Sequence, residues 1–165
     1  MTSAPQATLS HRLANSSGRI LAIDYGRKRF GLAVSDEAGV TARPLATLTR
    51  TNRRDDLRRL RLVAREHVVR QIVVGLPLRL DGTIGEMAEE AKRFATRLAQ
   101  HLGLTVEMMD ERLTSWEAGQ IAASSKPRGT ARKVTRDHVA AAVILRDYLA
   151  AQSENKSPTR SRRKS

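Results

Sequence analysis

The chain has 165 residues and no cysteine, and its 30 lysines and arginines outweigh 17 acids to give a formal charge of +13 and a sequence pI near 11.3. That length suits one α/β domain with its own core. The missing cysteine excludes disulfides and cysteine-type zinc sites, and no apolar run approaches the ~20 residues that cross a bilayer. Excess charge of this size speaks to partners, and among polyanions nucleic acid comes first. A membrane surface fits less well, because no long apolar helix carries a basic face. With aromatics at only 3%, phosphate contact is favoured over base stacking.

The first residues, to Arg19, hold no acid and lack the apolar core of a secretory signal. We expect residues 1–18 to form a disordered extension, with a transit peptide as the alternative. Two apolar runs of strand length follow, Ile20–Ile23 and Phe30–Val34, separated by Asp24-Tyr25-Gly26-Arg27-Lys28-Arg29. Strand, short turn and strand predict an antiparallel hairpin. Asp24 closes the first strand, where a carboxylate leaves the core at the rim of a sheet. Gly26 lets a phosphate or metal approach the backbone there. The plainer reading is a hairpin turn holding two common turn residues.

Leu45–Thr49 predicts a third strand, and Pro44 at its start suits an edge. From Asp55 the positions Leu57, Leu60, Val63 and Ala64 keep helical spacing, with arginines crowding the other faces. Gln71–Pro77 is a continuous apolar run, as in a central parallel strand. Asp81-Gly82-Thr83 reads as a tight turn. Ile84–Leu102 is an amphipathic helix with Met87, Ala91, Phe94, Ala95 and Leu98 on one side and Gly103 as its stop. Leu104–Met109 is the last strand, running into Asp110-Glu111. Thr114 or Ser115 caps a short helix, and Trp116 is a core anchor. A loop over Ser124–Lys133 carries Lys126, Arg128, Arg132 and Lys133. The final helix, Arg136–Ala151, shows Val139, Ala140, Val143, Ile144 and Leu145 as its apolar face. Residues 152–165 are basic and acid-poor, which predicts a disordered tail in contact with phosphates. Residues 19–151 are then the folded domain.

Three meandering strands followed by alternating helices and strands predict a mixed five-stranded sheet, antiparallel then parallel, flanked by helices. In such a sheet Asp24 and the pair Asp110-Glu111 end at one edge, and Asp137 opens a helix that can reach it. Clustered carboxylates repel unless a proton or a cation intervenes. Oxygen ligands without His or Cys suit Mg²⁺ or Mn²⁺, and two such ions can align a water and a leaving oxygen on a phosphodiester. The structural alternative pairs Asp110 and Glu111 with Arg112 or another arginine and leaves Asp137 as a helix cap.

Several segments resemble one family in order and spacing. They are Asp24-Tyr25-Gly26, Ala42-Arg43-Pro44-Leu45, Ile72-Val73-Val74-Gly75-Leu76-Pro77-Leu78, Asp81-Gly82-Thr83, Asp110-Glu111-Arg112-Leu113-Thr114, and Asp137 with Ala140-Ala141 and Ile144-Leu145. Together they resemble the YqgF-type pre-16S rRNA nucleases of bacteria, also described as Holliday-junction-resolvase-like, from about Arg19 to Ala150. The resemblance implies an RNase H-like fold, a cytoplasmic location, ribosomal particles as partners and trimming of the 5′ end of the 16S rRNA precursor. It also implies that Asp24, Asp137 and one acid of Asp110-Glu111 form a catalytic, metal-binding cluster. Neighbouring strand residues face opposite ways, and Glu111 is favoured, with Asp110 as the alternative. Arg27, Lys28, Arg29, Lys126, Arg128, Arg132 and Lys133 are the candidate nucleic-acid contacts. His138 is read as a surface histidine, with assistance to proton transfer as the other role. Three rivals stay open: the same chemistry on branched DNA, a nucleic-acid-binding module without catalysis, and an actin-like kinase. The kinase fits less well, since it needs two such domains.

Overall fold

The computed structural model describes residues 18–77, 81–110 and 130–156. The apolar runs form five strands: β1 (Arg19–Tyr25), β2 (Arg29–Ser35), β3 (Ala42–Thr49), β4 (Val69–Leu76) and β5 (Thr105–Asp110). Three helices join and follow them: α1 (Arg53–Glu66), α2 (Glu86–Leu102) and α3 (Thr130–Lys156). The sheet order is β3-β2-β1-β4-β5. β1 pairs with β2, and β2 with β3, antiparallel; β1 pairs with β4, and β4 with β5, parallel. This is the mixed sheet expected, with Pro44 on the edge strand, where its missing N–H is tolerated.

Side-chain alternation divides the core in two. Leu21, Ile23, Phe30, Leu32, Ile72 and Val74 pack with Leu60 of α1 and with Ala91, Phe94 and Leu98 of α2. Ile20, Ala22, Ala33, Val73 and Met109 pack on the other face with Ala141, Ile144, Leu145, Tyr148 and Leu149 of α3. Burying the largest of these apolar side chains contributes about 1.5–3 kcal/mol each. Glu107, Gln71 and Tyr148 tie this second layer together: the Tyr148 hydroxyl donates to Glu107 at 2.8 Å, and Gln71 Nε2 donates to Glu107 at 2.7 Å. Burial, then Glu107, pushes the Tyr148 hydroxyl up to about 12.

Three expectations on the helices need correction. α3 runs from Thr130 to Lys156, longer at both ends than Arg136–Ala151, so Arg132 and Lys133 stand on a helix and not in a loop. Its buried stripe is Ala141, Ile144, Leu145, Tyr148 and Leu149. Val139, Ala140 and Val143 are only half-buried. The helix turns this way because small residues, Ala22, Gly31 and Ala33, let it settle on β1 and β2. α2 starts at Glu86 with Gly85 as its N-cap, leaving Ile84 half exposed. Gly103 does end it, in the left-handed region at φ 67°. The Asp81–Thr83 turn is closed by Asp81 Oδ1, which accepts from the Thr83 N–H at 2.9 Å and its hydroxyl at 2.7 Å.

Candidate metal and nucleic-acid site

Asp24 follows Ile20 and Ala22 on the α3 face of β1, one residue before the strand ends. Its partner across the β1–β2 ladder is Gly31. A Cβ on Gly31 would overlap the carbonyl of Asp137, and the His138 N–H lies next to the same point. The glycine is therefore what lets the backbone of α3 lie against β2 at the level of Asp24. On the other side, the register carried one step past Ile23↔Val74 sets Gly75 beside Asp24. No side chain from either neighbouring strand stands at that level on this face.

Asp24 is half-buried, and no described residue donates a hydrogen bond to it. Burial, and then the nearby charge of Asp137, pushes its carboxyl up to about 6 from the usual 3.8. Arg29, two residues before Gly31 on β2, brings its Nε to 4.0 Å from Asp137 Oδ2. This is a long contact for an ion pair between groups that are each about a quarter exposed. The Asp24 and Asp137 carboxylates thus lie near enough at the C-terminal end of β1 for the charge of Asp137 to raise Asp24, with Arg29 loosely held beside Asp137.

Asp110 also ends its strand at that rim, paired with Leu76. The alternation of β5 counts it with Val106 and Met108 on the α1–α2 side, whereas Met109 belongs to the α3 side. Asp110 therefore lies on the face opposite Asp24. Glu111 lies outside the described residues, as do Lys126, Arg128, Trp116 and the short helix expected after Ser115. The side chains of Arg132 and Lys133 lie outside them too. Among the described residues no group of three His, Cys, Asp or Glu side chains gathers in a metal-ligand cluster.

The basic candidates on the β1–β2 turn separate clearly. Arg27 bonds both oxygens of Glu90 on α2, at 2.8 Å from Nη2 to Oε1 and 3.2 Å from Nε to Oε2, with Glu86 at 3.4 Å. Its hydrogen bond holds the Glu90 carboxyl below the usual range. Lys28 is exposed, and Arg29 is turned to Asp137.

The sequence did not mark Arg50 as part of this region. Its Nε donates to buried Asp56 at 3.0 Å, and its Nη1 donates to the Tyr25 hydroxyl at 3.1 Å and the Gly26 carbonyl at 3.0 Å. Its guanidinium lies over the rings of Tyr25 and Phe30. These bonds fasten the turn that follows Asp24 to the start of α1. An Arg six residues before an Asp gives no local signal of this, because the same guanidinium also reaches Tyr25 and Gly26, which lie far back in the chain at the end of β1.

The order and sense of these strands define an RNase H-like fold. Thermus thermophilus RuvC shares it: TM-score 0.50 at 14% sequence identity, covering 81% of this chain and 96% of that one. The chain belongs to the RuvX family, whose description reads "RuvX: Holliday junction resolvase" and whose pattern matches residues 18–151. A relative from Koribacter versatilis (strain Ellin345), named "Putative pre-16S rRNA nuclease", is 46% identical over 132 residues, spanning 80% of this chain and 86% of the relative. One of the same name from Syntrophus aciditrophicus (strain SB) is 44% identical over 141 residues, spanning 86% and 94%. The family resemblance carried by the motifs therefore stands, and by family the chain is a nuclease, a hydrolase of phosphodiester bonds.

Proposed function

We propose that this protein is a divalent-metal-dependent endonuclease that processes the 5′ end of the 16S rRNA precursor in the cytoplasm, on ribosomal particles. The convergence of Asp24 and Asp137 at the rim carries the reading. Two oxygen donors, one half-buried with its carboxyl raised and with no hydrogen bond from the described residues, suit a hard cation such as Mg²⁺ or Mn²⁺. Asp24, Asp137 and Glu111 are the ligands in this reading. Glu111 is preferred to Asp110 because Asp110 ends β5 on the face away from Asp24. When bound, the ion supplies an activated water and neutralises the leaving oxygen. Asp24 and Asp137 would hold it. Arg29 steadies Asp137, and the basic surface, Lys28 included, draws the polyanion to the rim. Arg27 serves the fold instead, since both its partners are acids of α2.

The description of the family favours a second reading, cleavage of branched DNA by the same residues. One experiment separates the two. Precursor 16S rRNA and a four-way DNA junction are offered to wild type and Asp24→Asn, with Mg²⁺, with Mn²⁺ and with EDTA. Metal-dependent cleavage of the RNA alone, lost in the variant, is the expected result. Cleavage of the junction alone moves the reading to DNA, and undiminished activity in Asp24→Asn removes the acid from the site.

A further inference from the structure

On the sheet face away from α3, a cleft of about 240 Å³ opens between α1 and α2, lined by Arg50, Arg53, Arg93 and Arg97 over Tyr25 and Phe94. It shares Arg50, Arg53 and Asp56 with a shallower groove of about 560 Å³ that reaches Arg27 and Lys28. The two form one basic path. It starts at the turn that follows Asp24 and passes the N-terminus of α1 to the middle of α2.

The charges along this path are not balanced within the fold. Arg50 is neutralised by Asp56, and Glu90 is taken by Arg27. Arg53, Arg93 and Arg97 are exposed and form no salt bridge or hydrogen bond among the described residues, Arg93 having only the longer-range attraction of Glu90, which Arg27 already holds. Their placement opposes folding. Arg53 is the first residue of α1, where the macrodipole disfavours a cation. Arg93 and Arg97 stand one helical turn apart on α2, where like charges repel. Nothing in the core needs these three cations, and an anion laid in the cleft would offset all of them.

We propose that this cleft is a second phosphate-binding surface, where Arg53, Arg93 and Arg97 hold the backbone of the nucleic acid strand whose cleaved segment lies at Asp24. It rests on the reading as a nuclease and extends it: the strand wraps over the rim from the α3 face to the α1–α2 face. Contact is with phosphates and not with bases, since the exposed groups are guanidinium and ammonium and the aromatic rings form the floor beneath Arg50.

The test measures binding of a labelled structured precursor rRNA fragment in EDTA across a salt series. Arg93→Gln/Arg97→Gln is compared with Arg19→Gln/Arg65→Gln, which removes the same charge at the opposite end of the strands. The cleft variant is expected to weaken binding about tenfold near 100 mM salt and to flatten the log Kd against log salt slope by about 2, one for each phosphate no longer held. Arg93→Lys/Arg97→Lys is expected to keep most of the slope. Equal losses in the cleft variant and in Arg19→Gln/Arg65→Gln, with wild type binding normally, overturn the cleft and leave the nuclease reading standing. Failure of wild type to bind overturns both.

Discussion

Asp24 shows most directly how function and stability conflict in this chain. Its carboxyl titrates near 6 in the fold against 3.8 outside it, so folding favours the protonated form. Stability therefore falls as pH rises from about 4 to about 6, and the whole penalty is present at neutral pH. A shift of this size is of the order of 3 kcal/mol. Asp24→Asn is expected to abolish metal-dependent cleavage by at least about a hundredfold. In EDTA at pH 7.5 it should unfold at higher denaturant than wild type, and below pH 4 the two should converge. Adding Mg²⁺ should stabilise wild type and not the variant, because only wild type keeps the ligand. A variant less stable than wild type at neutral pH would show that the carboxylate is held by the fold and not strained by it. The alternation and the strand end made Asp24 legible in the sequence. The raised carboxyl was not, since it depends on how closely α3 approaches.

That approach is a matter of elements. Gly31 reads in sequence as a weak point in a strand, and the β2–β3 ladder does slip between Gly31 and Ala33. Its purpose appears only when α3 is laid across β2 at Asp137. Gly31→Ala is expected to push the helix off the sheet and lower stability by about 1–3 kcal/mol. Leu145→Ala empties the same layer and lowers it by about 2–5 kcal/mol, yet leaves Asp137 opposite Gly31. Calorimetric titration with Mn²⁺ separates them: Gly31→Ala should weaken the metal more than Leu145→Ala does. Equal affinities would mean that the spacing of β2 and α3 does not set the site. On the other face, Asp56→Ala strands the Arg50 guanidinium and frees the Thr51 N–H, bonded at 3.1 Å. We expect a loss of about 3 kcal/mol in denaturant unfolding, and a loss below about 1 kcal/mol would reduce this cluster to a surface pair. The strands and the sheet order followed from hydrophobic runs and short gaps, which are local. The Arg50–Asp56 cluster, the Arg27–Glu90 pair and the α3 stripe were hidden, because each depends on which distant element lies alongside.

At the scale of the molecule, the +13 charge is distributed and not uniform in role. Part is internal to the fold, as in Arg27 and Arg50. Part lies along the α1–α2 cleft. A further part follows α3, where Arg160, Arg162, Arg163 and Lys164 come after Lys156, the last residue of the helix. Ending the chain at Lys156 removes those four cations and leaves every described element intact. Each phosphate released flattens the salt dependence by about 0.7–0.9, so a tail that engages all four would change the slope by about 3, and the cleft by about 2. Truncation should leave the thermal midpoint and cleavage at saturating RNA unchanged while raising the RNA concentration needed at about 150 mM salt. Truncation and Arg93→Gln/Arg97→Gln should also add in log Kd, because sites that share no partner act independently. Less-than-additive loss would mean that the tail and the cleft hold the same phosphates. An unchanged slope after truncation would confine RNA binding to the folded body.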